Sequence, residues 1–186
     1  MMNRKQLNRQ QTIHDIESAF LALYLDGGID NVNISKLCQN CCIARSTFYL
    51  YFEDKYAVLQ GVEDRLLGEL WDICGNLPDE IEQGTTDKNA LRTIEHLRTH
   101  LDWYRALLSK QGDPAFVYRW KKDIERSLCI KFNESDGKAR DSTIRGILFA
   151  SALIGLFTYM VMESPNIPDH VLCSYMDDLL KHLLMK

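Results

Sequence analysis

From Asn33 to Lys55 the chain reads NISKLCQNCCIARSTFYLYFEDK. Ile34, Leu37 and Cys38 recur at three- and four-residue intervals, the spacing of one helical face. A turn follows at Asn40-Cys41-Cys42, and a second short helix is expected from Ala44 to about Phe52. Two short helices about a tight turn make a helix-turn-helix. In the second helix Phe48 and Phe52 lie four apart and face inward with Ile43, which leaves Arg45, Ser46, Thr47, Tyr49 and Tyr51 pointing outward. One guanidinium, two small hydroxyls and two phenols on a common face suit hydrogen bonding to phosphates and base edges. Asp54 stands where it would cap a further helix beginning at Lys55.

On the N-terminal side, Ile13, Ile16, Phe20 and Leu23 form the stripe of a helix from about Leu7 to Leu25, stopped by Asp26-Gly27-Gly28. Asn31 or Asn33 can cap the helix that follows. The first fourteen residues carry Arg4, Lys5 and Arg9 and no acid, a small basic arm. On the C-terminal side, Val58, Leu59, Val62, Leu66, Leu70, Trp71 and Cys74 describe one long helix from Lys55, ended by Gly75-Asn76-Leu77-Pro78. A polar loop at Thr85-Thr86-Asp87 precedes a helix carrying Leu91, Ile94, Leu97, Leu101, Tyr104 and Leu108, closed by Gly112. Asp113-Pro114 is an N-cap followed by proline at the first helical position, with Phe116, Val117, Trp120, Ile124 and Leu128 as the stripe. Residues 133–138 read as a polar loop around Gly137. The last helix starts near Asp169, with Leu172, Tyr175, Met176, Leu179, Leu183 and Leu184 inward and Asp177, Asp178, Lys181 and Lys186 opposite.

The fold class expected is all-α: sustained period-2 alternation is absent, and 186 residues suffice for one compact unit or two small ones. Hydrophobic residues at 46% and charged residues at 26% are ordinary for a soluble globular protein. The formal net charge of −4 excludes a general polycation, so any nucleic-acid contact must be local. Residues 147–162 carry no charge, but a membrane span needs about 20 apolar residues, and Ser151 and Thr158 interrupt the run. A helix buried on nearly every side is expected instead, with no membrane partner. Six cysteines at 38, 41, 42, 74, 129 and 173 lack disulfide-framework spacing, and no apolar signal segment opens the chain. A reducing cytoplasm is the simplest setting.

A hydrophobic first helix, a helix-turn-helix and then TFYxYFxxK running into a long helix resemble the DNA-binding domain of tetracycline-repressor-like (TetR) transcriptional regulators. Ile34, Leu37, Ile43, Thr47, Phe48, Tyr49, Tyr51, Phe52 and Lys55 carry the resemblance, which covers about a third of the chain. It implies an N-terminal three-helix DNA-binding domain, residues 1–54, joined by a long helix to a helical effector-binding and dimerisation domain, residues 55–186. It implies phosphate contact by Tyr49, Tyr51 and Lys55 and base or phosphate contact by Arg45, Ser46 and Thr47; Leu50, at a position often polar in the family, offers only apolar contact. Asn33 and Ser35 belong to the same expected surface, where helix N-terminal amides favour anions. The last two helices would form a dimer seam, expected at Ile154, Tyr159, Leu172, Tyr175, Leu179 and Leu183, so that a homodimer presents two recognition helices to a palindromic double-stranded operator.

The implied function is a ligand-responsive transcriptional regulator, a repressor. The alternative is a co-regulator on the same fold whose C-terminal domain binds a protein partner. This chain has Cys42 where the family usually has glycine, and Ala44 where the family often has serine. A left-handed non-glycine residue costs about 1 kcal/mol and a lost cap hydroxyl about another.

Trp71, Trp103, Tyr104, Phe116 and Trp120 are the residues expected to line a pocket for a small effector, although aromatic stripes also serve as core. Cys38, Cys41 and Cys42 form a CxxCC cluster that lacks the second ligand pair of a zinc site; small buried hydrophobes describe it better than a thiol sensor or a metal site. His96 and His100 lie four apart on one helix and could bind a metal, but without an HExxH glutamate they read as a solvated or partly buried pair. No metal, no cofactor and no catalytic constellation is expected, hence no enzyme.

Overall fold

Asn33 starts the helix-turn-helix as expected: its backbone is extended (φ −111°, ψ 124°) and its Oδ1 accepts from the amides of Ser35 (2.8 Å) and Lys36 (3.3 Å). In the computed structural model, which describes residues 4–74, 86–132 and 139–183, the chain is all-α. The helices are α1 (Arg4–Asn31), α2 (Ile34–Asn40), α3 (Arg45–Phe48), α4 (Lys55–Cys74), α5 (Thr86–Thr99), α6 (Leu101–Leu108), α7 (Pro114–Phe132), α8 (Ala139–Met162) and α9 (Asp169–Leu183). The expected stop at residues 75–78, Thr85 in the loop before α5, the loop at 133–138 with Gly137, Leu184 and Lys186 lie outside the described residues, as does the side chain of Leu128.

Two compact units divide the chain: Met1–Leu66 with Ser109–Gly112, and Leu67–Leu108 with Asp113–Lys186. The division falls inside α4, one continuous helix, rather than at its first residue.

In the first unit Ile16, Phe20 and Leu23 of α1 are buried with Leu37, Cys38, Phe48 and Val58. The glycine pair breaks α1 as its sequence demands. Gly28 has φ 69°, a left-handed conformation, and a Cβ there would come within 2.9 Å of the Gln111 carbonyl oxygen. A last turn continues to Asn31, whose amide nitrogen donates to the Leu23 carbonyl at 3.0 Å. The cap of α2 is therefore Asn33, and Asn31 closes α1. Arg4, Lys5 and Arg9 of the small basic arm belong to α1, so that segment is helical. Asp54 caps α4, its Oδ1 accepting from Ala57 N at 2.8 Å.

In the second unit Asp113 caps α7 in the same way, accepting from Ala115 N at 2.8 Å, with Pro114 at the first helical position. The single helix expected from Leu91 to Leu108 is broken at His100 into α5 and α6. Tyr104, Phe116 and Phe157 are fully enclosed, and Trp120 stacks on Phe157 with centroids 5.7 Å apart and rings 6° from parallel. Arg98 ties α5 to the start of α9 through the Ile167 carbonyl (2.6 Å) and Asp169 (2.8 Å).

The long apolar helix α8 departs from expectation. Phe149, Leu153, Phe157, Met160 and Val161 are buried, but Ile144, Ile147, Leu148, Tyr159 and Met162 are exposed, so it is not enclosed on nearly every side. Its segment Thr143–Met162 is long and apolar enough to cross a membrane by length and composition, as the core helix of a soluble protein also is.

Candidate functional site

The turn after α2 puts Cys42 at φ 54°, the left-handed region that favours glycine. Ala44 occupies the N-cap of α3 (φ −71°, ψ 150°) and supplies no side-chain hydrogen bond. Both departures from the usual residues thus fall where each has a physical cost. The recognition helix is also shorter than expected, with α3 ending at Phe48. Tyr51 N donates to Phe48 O (2.9 Å) and Leu50 N to Thr47 O (3.2 Å), which carry the chain on as tight turns.

Phe48 is wholly buried and anchors this turn, and Tyr49 meets its ring edge-on at 5.4 Å. Arg45, Ser46, Tyr49 and Leu50 are exposed, as are Asn33 and Ser35 at the start of α2; Thr47 and Tyr51 are half-buried. Leu50 is the most open large apolar side chain among the described residues of the unit, at 78% exposure. Lys55 differs from the other expected contacts. Its ammonium donates to the carbonyls of Ile29 (2.8 Å) and Val32 (3.2 Å), so its charge is drawn in to the last turn of α1 and the residue after it.

Cys38 is buried, and Cys41 is half-buried with its thiol donating to the Leu37 carbonyl at 3.1 Å. Burial raises the pKa of both thiols, for Cys38 against the lowering field of Arg45, which disfavours the thiolate that metal binding or redox chemistry needs. Only Cys42 of the three is exposed.

Within the second unit a cavity of about 60 Å³ lies among α4, α5, α7, α8 and α9. Trp71 and Trp120 are on its wall as expected, joined by Leu70, Phe149, Leu153, Phe157, Met176 and Leu180. Trp103, Tyr104 and Phe116 are not: Tyr104 and Phe116 are sealed in the core, and all three are buried. The polar wall groups include Asn89, Thr93, Asp123 and Asp177. Burial raises the Asp123 carboxyl above its ordinary range, opposed by Arg119 and Arg126, while Asp177 pairs with Lys181. Asn89 is held by its own donation to Ile73 O at 2.8 Å. Asp123 could have been anticipated one turn from Trp120, but the α9 residues come to the wall through tertiary packing alone.

The expected dimer residues separate into two groups. Ile154 and Leu172 are buried inside the protomer, packed as core. Tyr159 and Tyr175 are about half exposed, and Leu179 and Leu183 are partly covered. Small residues at Ala150, Ser151, Ala152 and Gly155 are expected from the sequence to let another helix approach; Ser151 and Gly155 are exposed and, with Tyr159 and the unanticipated Ile144, Leu148 and Met162, recur at three- and four-residue steps along the open face of α8.

His96 and His100 meet a third group that no local motif announced, Glu69 of α4. Its Oε2 lies 3.4 Å from His96 Nδ1 and 3.2 Å from His100 Nε2.

The fold and the exposed turn define an all-helical, helix-turn-helix class of protein. The fold is that of the TetR-family regulators. A TetR transcriptional regulator from Streptococcus agalactiae 2603V superposes with a TM-score of 0.67, at 18% identity, over 95% of this chain and 97% of that one. The dihydroxyacetone kinase operon activator DhaS superposes with a TM-score of 0.63, also at 18% identity, over 94% of this chain and 97% of the other. In sequence, an uncharacterised HTH-type transcriptional regulator, YxbF of Bacillus subtilis strain 168, is 21% identical over 113 residues. That match covers 59% of this chain and 28% of the relative. No protein-family model matches the chain.

Proposed function

We propose that the protein is a cytoplasmic, homodimeric, DNA-binding transcriptional regulator that acts as a ligand-responsive repressor on a palindromic operator. The observation that carries this is the exposed face of α3 and its C-cap, where Arg45, Ser46 and Tyr49 are solvent-facing around a buried Phe48 anchor. A guanidinium reads guanine edges or phosphates, and hydroxyls and phenols donate to phosphate oxygens. Repression is the simplest outcome, because a bound protein excludes polymerase from the same DNA.

Self-association is supported by the open stripe on α8. Gly155 lies in its middle, and a Cβ there would meet nothing within 4 Å, so a second copy can approach the backbone closely. A dimer sets two recognition helices about one DNA turn apart and makes the operator symmetric. An effector in the cavity near Trp71 and Trp120 would regulate binding by preferring one of two dimer states, and only its differential affinity counts.

The test is a reporter fused to the promoter of the protein's own gene, with binding to that DNA measured in parallel across salt concentrations. Reporter output that falls with added protein, with binding abolished by Arg45→Ala, supports the proposal. Output that rises makes the protein an activator, and a stable partner protein captured with no DNA bound would establish the co-regulator instead.

A further inference from the structure

We propose that Glu69, His96 and His100 form a binding site for a zinc-class divalent cation, joining α4 to α5. The three ligand atoms lie within 4.8 Å of one another. Ligands about 2.1 Å from a shared tetrahedral zinc are separated by about 3.4 Å. The two separations to Glu69 Oε2, 3.4 Å from His96 Nδ1 and 3.2 Å from His100 Nε2, already meet that requirement. His100 keeps about a quarter of its side-chain surface, which gives its ring freedom to close the remaining pair.

A second observation points the same way. The other nitrogen of His96, Nε2, lies 2.9 Å from the hydroxyl of Tyr104, which is fully buried. Ligating histidines characteristically spend their second nitrogen on such a partner, which fixes the tautomer and the ring plane. In the tautomer whose Nε2–H donates to Tyr104, Nδ1 offers its lone pair on the Glu69 side, where a cation would be bound by both groups. Two imidazoles and one carboxylate select borderline metals, Zn²⁺ or Co²⁺, over Ca²⁺ and Mg²⁺, which take oxygen ligands. Three protein ligands leave a fourth position for water or a small anion.

This site belongs to the second unit alone and stands whether or not the protein binds DNA. A cation here would restrain the C-terminal part of α4, whose N-terminal part, as the same helix, belongs to the helix-turn-helix unit.

The experiment is titration of the full chain, stripped with a chelator, with Zn²⁺ against a competing indicator and with Co²⁺ by absorption. One Zn²⁺ per chain is expected, with affinity at least about ten-fold weaker in Glu69→Gln and in His100→Gln, and weakened to a lesser degree in Tyr104→Phe. The Co²⁺ adduct should show visible d–d bands without a thiolate charge-transfer band. Helicity of the metal-free variants checks that they fold, and Glu69→Gln, at a half-open position, carries the test if His100→Gln does not. Undiminished binding in the folded variants, no stoichiometric binding, or a thiolate band lost on substituting cysteine would each overturn the site.

Discussion

Replacing Lys55 by methionine separates two jobs that a lysine at this position could do. Its ammonium donates to Ile29 O at 2.8 Å and Val32 O at 3.2 Å, and methionine keeps the apolar stem while removing both bonds. A hydrogen bond to a charged group contributes about 1.5–3 kcal/mol, so the loss of the pair, which share one ammonium, is about 2 kcal/mol. For a chain of this size melting as one unit, that lowers Tm by roughly 4–8 °C. The assay is thermal unfolding by circular dichroism, paired with the salt dependence of DNA binding. If Lys55 neutralised a phosphate, the methionine variant would show a slope of log K against log salt shallower by about 0.9. The expected pair of results is a lower Tm with an unchanged slope. An unchanged Tm with a shallower slope would refute the capping assignment and return Lys55 to the DNA-facing set.

Three further substitutions follow from particular positions. Cys42→Gly relieves a left-handed residue worth about 1 kcal/mol, offset in part by glycine's greater unfolded-chain entropy, for a net gain of about 0.5 kcal/mol in denaturant unfolding; a loss would mean the φ of 54° carries no strain. Gly155→Leu replaces a helix-interior glycine facing open space, so the helix itself gains about 1 kcal/mol while sedimentation should show weakened self-association; an unaltered dimer would move the seam off α8. Asp123→Asn tests the buried carboxyl. A pKa raised on folding means that the folded state binds the proton more tightly, so its stabilising contribution is full below the unfolded pKa and fades as pH rises through the folded value. The asparagine variant should therefore match or exceed the parent's Tm at neutral pH and lose part of the parent's pH dependence in the acid range. A neutral-pH Tm well below the parent's would show instead that the pull of Arg119 and Arg126 outweighs burial.

Local chemistry was the legible part of this chain. Asn33, Asp54 and Asp113 cap helices because a short polar side chain beside an apolar stripe has few other uses, and Gly28 marks the break in α1 because only its backbone tolerates that turn. What depends on distant segments is not legible in the sequence. Lys55 sits after a capped turn, and nothing in TFYxYFxxK reveals that α1's last carbonyls end beside it. Trp103, Tyr104 and Phe116 share helical spacing with Trp71 and Trp120, but which aromatics face a void is decided by how five helices meet. Ile154 and Leu172 have the composition of a seam residue and of a core residue alike. Glu69 belongs with His96 and His100 only because α4 passes beside α5, which no spacing rule connects.

The most direct measurement is selection of bound fragments from random double-stranded DNA by the intact protein, repeated with Arg45→Ala. An operator-binding homodimer should enrich a two-fold symmetric sequence with half-sites about one helical turn apart, and the Arg45 variant should lose that enrichment while remaining folded and dimeric. A folded, dimeric parent that enriches no sequence would contradict the assignment of the Arg45, Ser46 and Tyr49 face to DNA.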